Sequence, residues 1–259
     1  SAGSEGSGTL GSMRALLLFA FVGLVACDGA SAVVPDDAAA DASLAGDAGA
    51  AGDAGATDAA DEADADPIAA LEALTASCNQ VSTGLYALNA GDTPTVPICG
   101  LTGAVFWKAD MDVDCDGKQT TQCNSSTDPD YQNQTAASDS QGNPLDAAKL
   151  PYVVIPGKST RFDYAAAGLK MGSVVLVMYQ GQVTYAVLGD VGPSADIGEA
   201  SYATAAALGA NPDPKVGGID GPDVLYVAFT GPSGVIAPIE DHAKATSVGE
   251  TLLAKLVGP

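Results

Sequence analysis

Five short runs rich in Val, Tyr and Phe limit what this chain can become. They are residues 104–108 (AVFWK), 152–155 (YVVI), 173–179 (SVVLVMY), 183–188 (VTYAVL) and 224–229 (VLYVAF). Such residues favour a pleated, half-buried surface, and Gly or Pro bounds most of the runs. Gln180-Gly181-Gln182, between the third and fourth runs, predicts a tight hairpin. Helical signals are fewer. Residues 67–77 follow Asp66, a candidate N-cap, and place Ile68, Leu71 and Leu74 at helical spacing. Residues 197–208 read as a second helix, closed by Gly209 and followed by Pro212, and residues 245–257 as a third. Mainly β segments with a few helices predict an α+β domain whose antiparallel or mixed sheet closes into a barrel or a sandwich. Periodicity does not choose between these two.

The domain occupies only part of the 259 residues. Residues 1–12 (SAGSEGSGTLGS) are Gly/Ser-rich and read as an expression scar. Met13-Arg14 opens an apolar run that ends at Cys27, too short to span a bilayer as a mature helix and patterned as an export signal. Its ending, Leu24-Val25-Ala26-Cys27, resembles the lipobox of bacterial lipoproteins, in which the cysteine is acylated; an ordinary signal with a chance cysteine is the plainer reading. The expected location is therefore exported: a cell-surface or periplasmic lipoprotein, or a secreted protein. Residues 28–66 are nearly all Ala, Asp and Gly, with 11 acids and no Lys, Arg or aromatic residue. Such a tract cannot bury enough apolar area to offset chain entropy, so a disordered tether is expected, with a stretched reach of about 130 Å. Residues 67–259 remain as one domain, long enough for a sizeable core.

The net charge of −22 overstates the acidity of that domain, which holds 20 acids against 9 bases, or −11. Nucleic acid is an unsuitable partner, because its binding rests on Lys and Arg neutralising phosphates. A cationic partner suits the balance, as does mere solubility. Apart from Cys27 the cysteines are Cys78, Cys99, Cys115 and Cys123. Four in an exported chain read as two disulfides, and the local pairing Cys78–Cys99 with Cys115–Cys123 is expected. Zinc competes poorly, since there is no CxxC and His242 is the sole histidine.

Two segments can carry chemistry. In Trp107-Lys108-Ala109-Asp110-Met111-Asp112-Val113-Asp114-Cys115-Asp116-Gly117 four aspartates alternate with other residues, so an extended strand would project them to one face. Three readings stand: a surface that attracts a cationic substrate, a solvated loop, or the opening of a calcium loop. The last has Cys123 where a bidentate Glu belongs. The second segment runs from Ala186 to Tyr202 and ends an apolar strand at Asp190, turns through Gly192-Pro193, and presents Glu199. Two carboxylates at a strand end and a turn suit glycosidic hydrolysis, where one protonates the leaving oxygen and the other acts on the opposite face. Glu199 as an ordinary acid in a helix's first turn is the alternative. Trp107, Tyr202 and other aromatics could stack on sugar rings or simply fill the core. No GxSxG, P-loop or dinucleotide fingerprint is present.

These segments, with Leu150-Pro151-Tyr152-Val153-Val154-Ile155-Pro156 and Gly217-Gly218, resemble the chitosanases of glycoside hydrolase family 75 over roughly Cys99 to Gly231. The resemblance implies an endo-acting enzyme that cleaves β-1,4 bonds of chitosan with inversion. It implies Glu199 as proton donor and Asp190 as its carboxylate partner, with Val191 standing where many relatives have Thr. The strand–Asp–turn–Gly pattern also looks like double-psi β-barrel hydrolases, implying a six-stranded barrel with peripheral helices. Chitosan or chito-oligosaccharides are then the expected partner, bound by Asp110, Asp112, Asp114, Asp116, Trp107, Lys108 and Tyr202. No cofactor or metal is expected, the membrane is met only through the lipid on Cys27, and the protein is expected to be a monomer. A non-catalytic polysaccharide- or polyamine-binding module and a hydrolase of another polysaccharide, such as peptidoglycan, are the rival functions.

Overall fold

Continuous apolar runs bury both faces of the central strands, and the sheet these strands form closes on itself. The computed structural model describes residues 66–258. The chain runs α1 (Pro67–Leu74), β1 (Cys99–Leu101), β2 (Ala104–Asp114), β3 (Tyr152–Pro156), β4 (Val174–Tyr179), β5 (Gln182–Gly192), β6 (Glu199–Ser201), α2 (Tyr202–Ala207), β7 (Ile219–Phe229) and α3 (His242–Val257). Strands pair in the order β2-β6-β3-β5-β4-β7, and β7 pairs back to β2, giving a closed six-stranded barrel. This is the mainly β, helix-decorated architecture that was expected. β1 adds to the first half of β2 and β6 to its last three residues. The β2–β6 and β3–β5 pairs are parallel; the others are antiparallel.

Buried side chains form one layer on each face of this sheet. Val105, Trp107, Met111, Val153, Val177, Leu188 and Tyr226 belong to one, and Phe106, Tyr152, Leu176, Val187 and Val227 to the other. The second layer continues into Ala245 and Leu253, through which α3 covers β4 and β5. Asp66 caps α1 by accepting from the Ile68 N–H at 3.0 Å. The predicted hairpin is present, with Tyr179 opposite Gln182 and both Gln180 and Gly181 at positive φ. Cys78–Cys99 and Cys115–Cys123 are bonded as expected.

The helix expected over 197–208 is a correction. Glu199, Ala200 and Ser201 are strand β6, and the helix begins only at Tyr202. Tertiary pairing decides this, because β6 slots between β2 and β3 and takes ladder bonds from both. Ser201 ends the strand and caps the helix. Its buried Oγ accepts from the N–H groups of Tyr152 and Thr204 and donates to the Leu150 carbonyl. The expected signal segment, Cys27 and residues 28–65 of the expected tether lie outside the described residues.

Candidate active site

β5 carries Asp190 to the site through a bulge. Leu188 pairs with Val153, but Asp190 pairs with Val154, so Gly189 is the extra residue. Without it Asp190 would share the face of Leu188, which packs with Val153. The bulge re-aims the carboxylate to the opposite face, a common use of bulges beside functional sites. Only glycine fits there, since a Cβ would lie 2.6 Å from the Tyr152 Cβ.

Val154 also pairs with Glu199, and Glu199 with Asp112. Asp112, Glu199, Val154 and Asp190 therefore form one row across β2, β6, β3 and β5, and all four line the same cleft. Strands lie about 4.8 Å apart, so the Asp190 and Glu199 backbones stand about 9–10 Å apart across β3. Glu199 is presented by a turn that tolerates no side chain. Gly198 has φ 123°, and its missing Cβ would fall 2.0 Å from Asp110 Oδ1. On the other side, a Cβ on Gly192 would lie 2.6 Å from Glu199 Oε2.

The two carboxyls have opposite surroundings. Asp190 Oδ1 accepts from the Ala136 and Val191 N–H groups, each at 2.7 Å. Burial raises the Asp190 pKa, and those two donors pull it back down. Among the described residues no donor supports the Glu199 carboxylate. Burial, then the charges of Asp112, Asp196, Asp116 and Asp190, push it up to about 7.

The cleft has a volume of about 630 Å³ and is lined by eight carboxyl groups and a single ammonium, Lys215, among the described residues. Asp114 Oδ1 accepts from the Asp116 N–H, and Asp116 Oδ1 from the Gln132 N–H, each at 2.6 Å. Burial, then neighbouring carboxylates, raises Asp114 well above the usual range, and burial raises Asp116 to about 6. Such a surface favours a bound cation, which would relieve the repulsion.

The structure gathers Asp112, Asp114, Asp116, Asp190 and Glu199 but not the rest of the expected set. Asp110 is 4 % exposed and lies behind the cleft against Gly198, its Oδ2 3.5 Å from Asn89 Nδ2. Trp107 is a correction: it is fully buried and stacked on Tyr226 at 5.3 Å, so it cannot meet a sugar. Lys108 is exposed opposite Leu225, and Tyr202 packs partly buried at the start of α2; neither lines the cleft. The calcium-loop reading does not fit either, since β2 runs straight through Asp112 and Asp114 and Cys123 is tied to Cys115. Among the described residues no group of three or more His, Cys, Asp or Glu is gathered around a common metal position.

Sequence reasoning missed Asp128, Asp130, Gln132, Asp196, Asn89 and Lys215, all of which line the cleft. Asp196, three residues before Glu199, was the one with a local signal. Asp128 and Asp130 reach the cleft because the chain folds back after the Cys115–Cys123 bridge.

Residues 111–254 match the family described as fungal chitosanase of glycosyl hydrolase group 75. This span contains the row from Asp112 to Glu199. The chain belongs to that family. It is 32 % identical over 189 residues to endo-chitosanase B of Aspergillus oryzae, a match covering 64 % of this chain and 79 % of that protein. An endo-chitosanase of Aspergillus fumigatus is also 32 % identical, over 182 residues, covering 61 % and 76 %. Endo-chitosanase C of A. oryzae matches over 73 % of this chain and 52 % of its own length. Membership makes this chain a chitosanase-family glycoside hydrolase.

Proposed function

We propose that the chain hydrolyses the β-1,4 bonds of chitosan with inversion, Glu199 acting as general acid and Asp190 as general base. The observation that carries this reading is the contrast between the two carboxyls on one row. Glu199, unsupported by donors and crowded by negative charge, holds a proton near neutral pH. Asp190, supported by two N–H groups, is the better anion. Glu199 passes its proton to the glycosidic oxygen as the C–O bond breaks. Asp190 takes a proton from a water whose oxygen bonds the anomeric carbon from the other face. Two strand spacings between the backbones suit the carboxyl separation of about 6.5–9.5 Å that leaves room for that water. Asp112, Asp114 and Asp116 pair with glucosamine ammonium groups, and the names of the relatives point to the same polymer.

The test is reducing-end release from chitosan by Asp190→Asn and Glu199→Gln. Each is expected to lose about 10²–10⁴-fold in kcat. Wild-type turnover in either variant overturns the assignment. The same reading makes residues 67–259 a monomeric catalytic domain on a 28–66 tether, anchored by a lipid on Cys27 and exported to the cell surface or periplasm. In bacteria expressing the chain, a clickable fatty acid is expected to label the wild type but not Cys27→Ser; equal labelling rejects the anchor.

A further inference from the structure

Glu199 has a neighbour that its catalytic partner does not explain. Asp112 stands beside it in register on β2, one strand spacing away, and both side chains face the cleft. The two strands are also locked by the backbone: the Asp112 N–H donates to the Gly198 carbonyl at 2.7 Å, immediately before Glu199. Asp112 is open to solvent and Glu199 is partly buried. Like charges at such a distance cannot both form cheaply, and the more solvated one ionises first. We propose that Asp112 is a positioning residue for the proton donor, its carboxylate holding a proton on Glu199 until the glycosidic oxygen takes it. This rests on Glu199 being the general acid.

The other groups around Glu199 are less well placed for this task. Asp190 is two strands away and tied to its own N–H donors. Asp114 accepts from the Asp116 N–H and the Tyr152 hydroxyl, and Asp116 from the Gln132 N–H. Asp196 precedes Gly198 in the turn; Asp110 and the Tyr226 hydroxyl lie buried beneath it. Asp220 on β7 faces Asp112 from its other side. Lys215, the cleft's cation among the described residues, donates to the Ser126 carbonyl at 2.8 Å, on the wall beside Asp128. Among the charges acting on Glu199, that of Asp112 is the largest.

The test is a pH titration followed by carbon NMR on the full chain labelled with [13C]glutamate, whose six Glu signals include Glu199, assigned by Glu199→Gln. The wild-type Glu199 midpoint is expected near 7. In Asp112→Asn it is expected about one unit lower, and in Asp112→Glu it should stay raised. With one chito-oligosaccharide as substrate, the alkaline limb of kcat/KM should move down with the NMR midpoint in Asp112→Asn. Amines of the free substrate, which kcat/KM reads, titrate alike for both enzymes and cancel. An unmoved midpoint in Asp112→Asn, or an equal fall in Asp112→Glu, overturns the proposal. Either result leaves the Asp190→Asn and Glu199→Gln activity test untouched, while an active Glu199→Gln would sink the acid assignment and leave the NMR coupling standing.

Discussion

Gly192→Ala separates catalysis from folding at this site. Its new methyl would begin 2.6 Å from Glu199 Oε2, whereas ordinary contact starts at 3.4 Å. The carboxylate must therefore retreat by about 0.8 Å, which it can do by rotating a flexible side chain into the open cleft. The remaining clash is mild, 3.0 Å to Val154 Cγ1, and costs about 1 kcal/mol. For a domain of this size that moves Tm by about 2–4 °C. Catalysis is less forgiving. A misplacement near 1 Å at a proton donor costs about 10²-fold, equivalent to about 2.7 kcal/mol of barrier. Steady-state kinetics on chitosan beside a thermal melt reads both quantities. The expected result is a folded variant with kcat down about 100-fold and KM little changed. A variant as fast as wild type would refute the placement of Glu199 against Gly192, or its role.

Two further outcomes follow from the same geometry. Ser201→Ala removes a buried oxygen serving Tyr152, Thr204 and Leu150, so urea unfolding should show a loss of about 3 kcal/mol; a loss below about 1 kcal/mol would mean the network is not what holds β6. Stability should also fall as pH rises from about 4.5 towards 7. Asp110 and Glu199 reach about 7 and Asp116 about 6 in the folded chain, above their unfolded values. Across that window the native state binds more protons than the unfolded one, so the slope of unfolding free energy against pH is negative. Melts that rise from pH 4.5 to 7 would contradict this, and Asp110→Asn should flatten the fall.

Much of the barrel was legible because its apolar runs lie where strands must be. Their ends were not. β2 extends from Lys108 through Asp114, and β5 from Leu188 through Gly192, because Asp112, Asp114, Asp190 and Gly192 there face an open cleft while Met111 keeps the opposite face apolar. The 197–208 segment misled because Glu199 and the alanines after it favour a helix, and pairing of residues 199–201 with β2 and β3 overrode that preference. Asp190 and Glu199 were readable as a pair, but their common row depends on the Gly189 bulge, which no periodicity announces. Trp107 illustrates the reverse error: an aromatic beside an acidic run looked like a sugar platform, yet it shares the buried face with Tyr226. Asp128, Asp130 and Lys215 belong to loops joined to the cleft by a disulfide fold-back and a cross-loop hydrogen bond, contacts of long sequence separation.

Glu199 and Asp190, acting as acid and base on opposite faces of one sugar, would invert its anomeric centre. Proton NMR of the anomeric signals in the first minutes of chito-oligosaccharide hydrolysis reads that inversion. The α-anomer is expected first and the β-anomer only later by mutarotation. A β-anomer formed first would mean retention, with one carboxylate as nucleophile, and would contradict those roles.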